Sequence, residues 1–139
     1  MDNNDSTVFD PAQVNIEVMT TYLPGHSEPE HDQYTFAYTI TISNNGDIPV
    51  QLLSRHWIIT NADNETTEVR GDGVVGEQPL IEPGKAFRYT SGATLTTPVG
   101  CMEGSYTMIT HPPGGDESAA RRFQVPINTF SLHKAAALH

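Results

Sequence analysis

The stretch Arg70-Gly71-Asp72-Gly73-Val74-Val75-Gly76-Glu77-Gln78-Pro79 carries three glycines at Gly-x-Gly-x-x-Gly spacing, directly after an arginine. Glycines so placed let a turn tighten and bring backbone N–H groups up to a phosphate, which a dinucleotide fold then sets against a helix N-terminus. No helix can follow here, because Pro79 and Pro83 interrupt the chain at once, so that fold is excluded. Two readings remain. Gly71, Gly73 and Gly76 either supply left-handed turn conformations at a sheet edge, which the flanking Asp72 and Glu77 favour, or form an anion nest with Arg70 beside them.

A second group of reactive side chains is His26, Glu28, Glu30, His31 and Asp32. Through His26, His31 and a carboxylate it offers a ligand set for a divalent transition metal. The spacing matches no metal motif, and a solvated acidic loop is the plainer expectation. Arg55-His56-Trp57 places a cation, an imidazole and the chain's one tryptophan in a single strand. Trp57 reads as a core anchor, and alternation sends Arg55 to the same side, where it needs a carboxylate partner or an anionic ligand. Catalytic signatures are absent: there is no Gly-x-Ser-x-Gly, His-Glu-x-x-His or Cys-x-x-Cys, so a non-enzymatic domain without a cofactor is expected. Cys101 reads as a small buried hydrophobe and Tyr106 as a tyrosine corner.

The elements that position these residues are strands. Val14, Ile16 and Val18 alternate with polar positions, and Leu23 to Asp32 is a proline-rich loop. Tyr34, Phe36, Tyr38, Ile40 and Ile42 fall on one face of the clearest strand, and the Asn44-Asn45-Gly46-Asp47 turn predicts an antiparallel return. In Val50 to Thr60, Leu53, Trp57 and Ile59 share a face with Arg55, while Leu52, Ser54, His56 and Ile58 share the other. Neither face is purely polar, which predicts a central or bulged strand. Thr66 to Val69, Phe87 to Thr90, Gly104 to Thr110 and Arg122 to Ile127 supply further strands, with Phe130 and Leu132 continuing the apolar signal before a short Ala-rich end. No amphipathic helix of three turns is present. About seven antiparallel strands predict an all-β sandwich of immunoglobulin or fibronectin III type, spanning residues 12–139 as one domain behind a flexible tail, 1–11.

Composition narrows the partners. Seven Lys+Arg against 17 Asp+Glu give a formal net charge of −10, which repels a phosphate backbone and disfavours nucleic acid. One cysteine rules out an internal disulfide, no leader pattern opens the chain, and no apolar run is long enough to span a membrane. A cytoplasmic protein is expected.

Together the blocks Ser54-Arg55-His56-Trp57-Ile58-Ile59-Thr60, Val69 to Pro79, Pro83-Gly84, Phe87-Arg88-Tyr89-Thr90-Ser91-Gly92, Met102-Glu103-Gly104-Ser105-Tyr106 and Leu138-His139 resemble the ApaG family, from about Val14 to His139. The resemblance implies a fibronectin III-like sandwich, cytoplasmic in bacteria, with eukaryotic relatives in F-box and DNA-polymerase-interacting proteins that point to protein interaction. It also implies links to cobalt tolerance and magnesium efflux, a gene neighbour that hydrolyses diadenosine tetraphosphate, and a pyrophosphate site at Gly71, Gly73 and Gly76. Lys134-Ala135-Ala136-Ala137 departs from the Pro-Arg-Thr typical of the family. The expectation is a binding module that sets Arg55, Trp57 and the Gly71 to Gly76 loop near the surface met by a protein partner; the rival is a sensor of pyrophosphate-containing nucleotides or of Mg²⁺ and Co²⁺, using the glycine loop with Arg70 and Arg55 or the His26 to Asp32 cluster through His26 and His31.

Overall fold

In the computed structural model, which describes residues 10–115 and 117–134, eight strands form two antiparallel sheets packed face to face. They are β1 (Val14–Tyr22), β2 (Tyr34–Asn44), β3 (Val50–Asn61), β4 (Thr66–Asp72), β5 (Leu80–Ile81), β6 (Ala86–Leu95), β7 (Val99–Thr110) and β8 (Arg122–His133). One sheet runs β1-β2-β6. The other runs β4-β3-β7-β8, with the two-residue β5 paired to β3 beyond the end of β4. This is the fibronectin III-like sandwich. The expected tail is described only at Asp10 and Pro11, where Asp10 caps a 3-10 turn by accepting from Ala12 N–H at 2.9 Å, and the Ala-rich end lies outside the described residues.

The alternation of Tyr34 to Ile42 is realised as read: Phe36, Tyr38, Ile40 and Ile42 are buried, and the threonines between them face out. Against them pack Leu52, Trp57, Met102, Tyr106, Met108, Val125, Ile127 and Leu132 from the second sheet. Trp57 is the hub, in edge contact with Tyr38 at 5.5 Å, Phe130 at 5.9 Å and Tyr106 at 6.2 Å between ring centroids. Such contacts favour this packing beyond area alone.

Four expectations are corrected. The Asn44 to Asp47 turn does not return the chain beside β2; it carries it across to the other sheet. Asn44 is the reason. Its buried side chain donates to the carbonyls of Ile48 at 2.9 Å and Ile81 at 3.0 Å and accepts from Gly46 N–H at 3.0 Å, so it ties the two layers at a corner. In β3 it is Leu52, not Leu53, that shares the core with Trp57. A register shift between Leu52 and Ser54 flips the phase of the strand, as a bulge does.

Tyr106 makes no tyrosine corner. Its hydroxyl bonds the Tyr89 hydroxyl across the interlayer. Strand β7 also starts at Val99 rather than Gly104, because Gly100 and Gly104 hide the pattern: a β-carbon on Gly104 would stand 2.0 Å from His56 O and 3.1 Å from Trp57 Cε3.

Candidate functional site

The glycine segment is a small hairpin on the free edge of β3, between β4 and β5. Val74 and Glu77 exchange two backbone bonds, at 2.8 and 2.9 Å, around Val75 and Gly76, whose φ angles of 44° and 80° are the left-handed pair of a type I′ turn. Gly73, at φ 62°, donates to Leu53 O at 2.8 Å. Three N–H groups of the segment are therefore committed to carbonyls. Those of Val75 and Gly76 have no partner among the described residues.

Arg55 addresses the same segment from inside. On β3 it lies opposite Gly71 of β4 and Tyr106 of β7, and its Nη1 donates to Asp72 O at 3.0 Å and Gly73 O at 2.9 Å. The carbonyls take the place of the carboxylate or anion that the sequence led one to expect. A carbonyl dipole satisfies a half-buried guanidinium at low cost in desolvation.

Arg70 points to the opposite face. There Glu68 Oε2 accepts from Arg70 Nη2 at 2.9 Å and bonds His56 Nε2 at 2.5 Å. The His56 hydrogen bond first, and then the Arg70 charge, hold the Glu68 carboxyl below its usual range. Beside this trio is a shallow recess of about 350 Å³, lined by Ser54, His56, Arg70, Asp72, Thr107 and Gln124 among others. The register explains the grouping: Asp72, Ser54, Thr107 and Gln124 form one row across four strands, and Arg70, His56 and Ser105 the next. Among the described residues the Ser54, Thr107 and Gln124 side chains have no hydrogen-bond partner.

His26 and His31 are not brought together as one ligand set. Each ends its own 3-10 turn, and the ligand atoms that converge are those of Glu28, Glu30 and His31, all exposed, with His31 Nδ1 2.8 Å from Glu28 Oε1. Cys101 is half-buried on β7, opposite Thr60 and Ser131.

Sequence reasoning singled out Arg55, His56 and Arg70 but missed Glu68, Ser54, Thr107 and Gln124. The signal for Glu68 was available: the Asn61 to Asn64 turn sets Thr60 opposite Thr66, which puts His56 opposite Arg70 and Ile58 opposite Glu68. The β7 and β8 members depend on long-range register that no turn signal supplies.

The ApaG domain model matches residues 24–110, which include every residue of this site named above except Gln124. The chain belongs to the ApaG family. It is 55% identical over 127 residues to Protein ApaG of Pseudomonas aeruginosa, covering 91% of this chain and 95% of that one. To Protein ApaG of Ralstonia nicotianae it is 50% identical, covering 91% and 97%. Among solved structures, the putative ApaA protein of Bordetella pertussis superposes with a TM-score of 0.78 at 46% identity, covering 86% of this chain and 92% of that one.

Proposed function

We propose that this domain is a non-enzymatic protein-binding module whose partner docks on the β4–β5 edge and the adjoining recess. The observation that carries the reading is Val75. A β-branched residue at φ 44° is strained, yet it stands 52% exposed at a hairpin tip where Asn or Gly would sit at ease. Strain retained in an exposed apolar side chain is what a contact residue would require. Leu80, 51% exposed, lies on the same edge, and the recess beside it offers hydroxyls, an amide and the Glu68-bound pair His56 and Arg70 as a polar rim.

On this reading the domain works in the cytoplasm, and the family's link to cobalt tolerance and magnesium efflux runs through the partner. The rival, a pyrophosphate sensor, is favoured by one feature, the amides of Val75 and Gly76, which have no partner among the described residues.

A photo-crosslinking residue placed at Glu77 in the host cell tests the proposal. A discrete adduct that is lost with Val75→Asn and Leu80→Asp, and absent when the probe sits at Asp63, supports it; an adduct indifferent to both substitutions contradicts it.

A further inference from the structure

The outer face of the three-stranded sheet carries a pattern that the docking edge does not use. Across it, β1, β2 and β6 place Glu17, Thr41 and Arg88 in one row, Met19, Thr39 and Thr90 in the next, and Thr21, Ala37 and Gly92 in the third. The face is nearly uncharged in a chain of net charge −10: its outward strand positions hold one acid, Glu17, and one base, Arg88. Neither is in an ion pair among the described residues, and Arg88 reaches only the Met19 sulfur, a weak acceptor, at 4.0 Å. The hydroxyls of Thr39 and Thr90 bond each other at 2.7 Å, and those of Thr35 and Thr94 at 2.9 Å, so covering the face strips little water from them. Met19, 64% exposed, supplies an adaptable apolar contact.

We propose that this face pairs with the same face of a second copy about a two-fold axis running along β2. The register makes the surface self-complementary. An axis along the middle strand exchanges β1 and β6, so that in each row the β1 residue of one copy meets the β6 residue of the other. Glu17 then meets Arg88 twice over, Met19 meets Thr90, and Thr21 meets the side-chain-free position of Gly92. On the axis Ala37, Thr39 and Thr41, small and uncharged, meet themselves. A foreign partner would have no reason to find one acid and one base in the same row on opposite edges; a second copy does. The face is small, three strands wide, so the dimer is a weak one, formed in the micromolar to millimolar range.

Sedimentation equilibrium of the full chain from roughly 10 μM to 1 mM reads the association directly. The wild type is expected to dimerise within that range, and Glu17→Arg and Arg88→Glu each to weaken dimerisation by about tenfold or more, since each sets like charges opposite one another. Mixed together, the two variants are expected to form a heterodimer, because the two reversed charges then face each other as an opposite pair in one contact and the native Glu17–Arg88 pair survives in the other. Folding of each variant is checked by its circular dichroism, and heterodimer formation is itself proof that both are folded. A wild type that stays monomeric to the top of the range overturns the proposal, as does a dimer indifferent to both charge reversals or single variants that fail to recombine.

Discussion

Arg55 lies across Gly71. A β-carbon built on Gly71 would stand 2.8 Å from Arg55 Nη1 and 2.9 Å from its Cζ, so the absence of a side chain is what lets the guanidinium cross β4 to the carbonyls of Asp72 and Gly73. The first glycine of the motif thus serves an arginine inside the protein. A double-mutant cycle tests this. Gly71→Ala should destabilise by about 1 kcal/mol in urea unfolding, because the guanidinium can swing aside, and should cost nearly nothing once Arg55→Met has removed the group it displaces.

The other two glycines should behave differently from each other. Gly73 combines φ 62° with a β-carbon position 2.2 Å from Glu77 O, whereas Gly76, at φ 80°, has open space around it. Gly73→Ala is expected to cost roughly 2 kcal/mol or more, and Gly76→Asn to stay within about 0.5 kcal/mol, since Asn tolerates left-handed backbone. Equal losses in urea midpoints would contradict the assignment.

Val75 gives the opposite sign. Val75→Asn relieves a strained φ of 44° and is expected to raise stability by about 1 kcal/mol while weakening capture of the partner. A stabilised protein that still forms the Glu77 adduct at full yield would remove Val75 from the interface.

How much of this was readable in advance depends on the range over which each residue acts. Phe36, Tyr38, Ile40 and Ile42 announce their face because alternation is local and β2 is unbroken. Trp57 was recognisable as a core anchor from its type, but its phase relative to Leu52 was not, because the bulge after Leu52 is set by pairing with β7. The Asn44 to Asp47 turn misled for a similar reason: Asn45-Gly46 favours a hairpin locally, yet the Ile81 carbonyl that fixes the Asn44 side chain is far along the chain. The carbonyl partners of Arg55 were invisible because main-chain acceptors leave no mark in a sequence.

The hydroxyl pair Tyr89–Tyr106 joins the two layers, and burial pushes both phenols well above their ordinary range. Either Tyr→Phe substitution alone leaves a buried hydroxyl unpartnered and should cost about 1–3 kcal/mol; the double substitution should cost less than the sum. The folded state holds these protons more tightly than the unfolded chain does. Stability from the pair is therefore complete below the ordinary phenol pKa of about 10 and falls as pH rises above it. Denaturant unfolding at neutral and alkaline pH reads that loss directly.

Glu68 governs the acid side. Its carboxyl is held below the usual value of 4.5 by His56 and Arg70, so what it contributes is present above that pH and lost as pH falls through its folded value. Wild type and Glu68→Gln should differ in urea midpoint at neutral pH and converge in acid. A difference that persists once the carboxyl is protonated would assign the effect to something other than its charge.

A structural hairpin presenting Val75 leaves the glycine segment no anion site, and a backbone amide titration of the ¹⁵N-labelled protein with pyrophosphate, a dinucleoside polyphosphate and Mg²⁺ reads this at each residue. No saturable shift is expected at Gly71, Gly73, Val75 or Gly76 up to millimolar ligand. Saturable shifts confined to those amides would contradict it and make the segment an anion site.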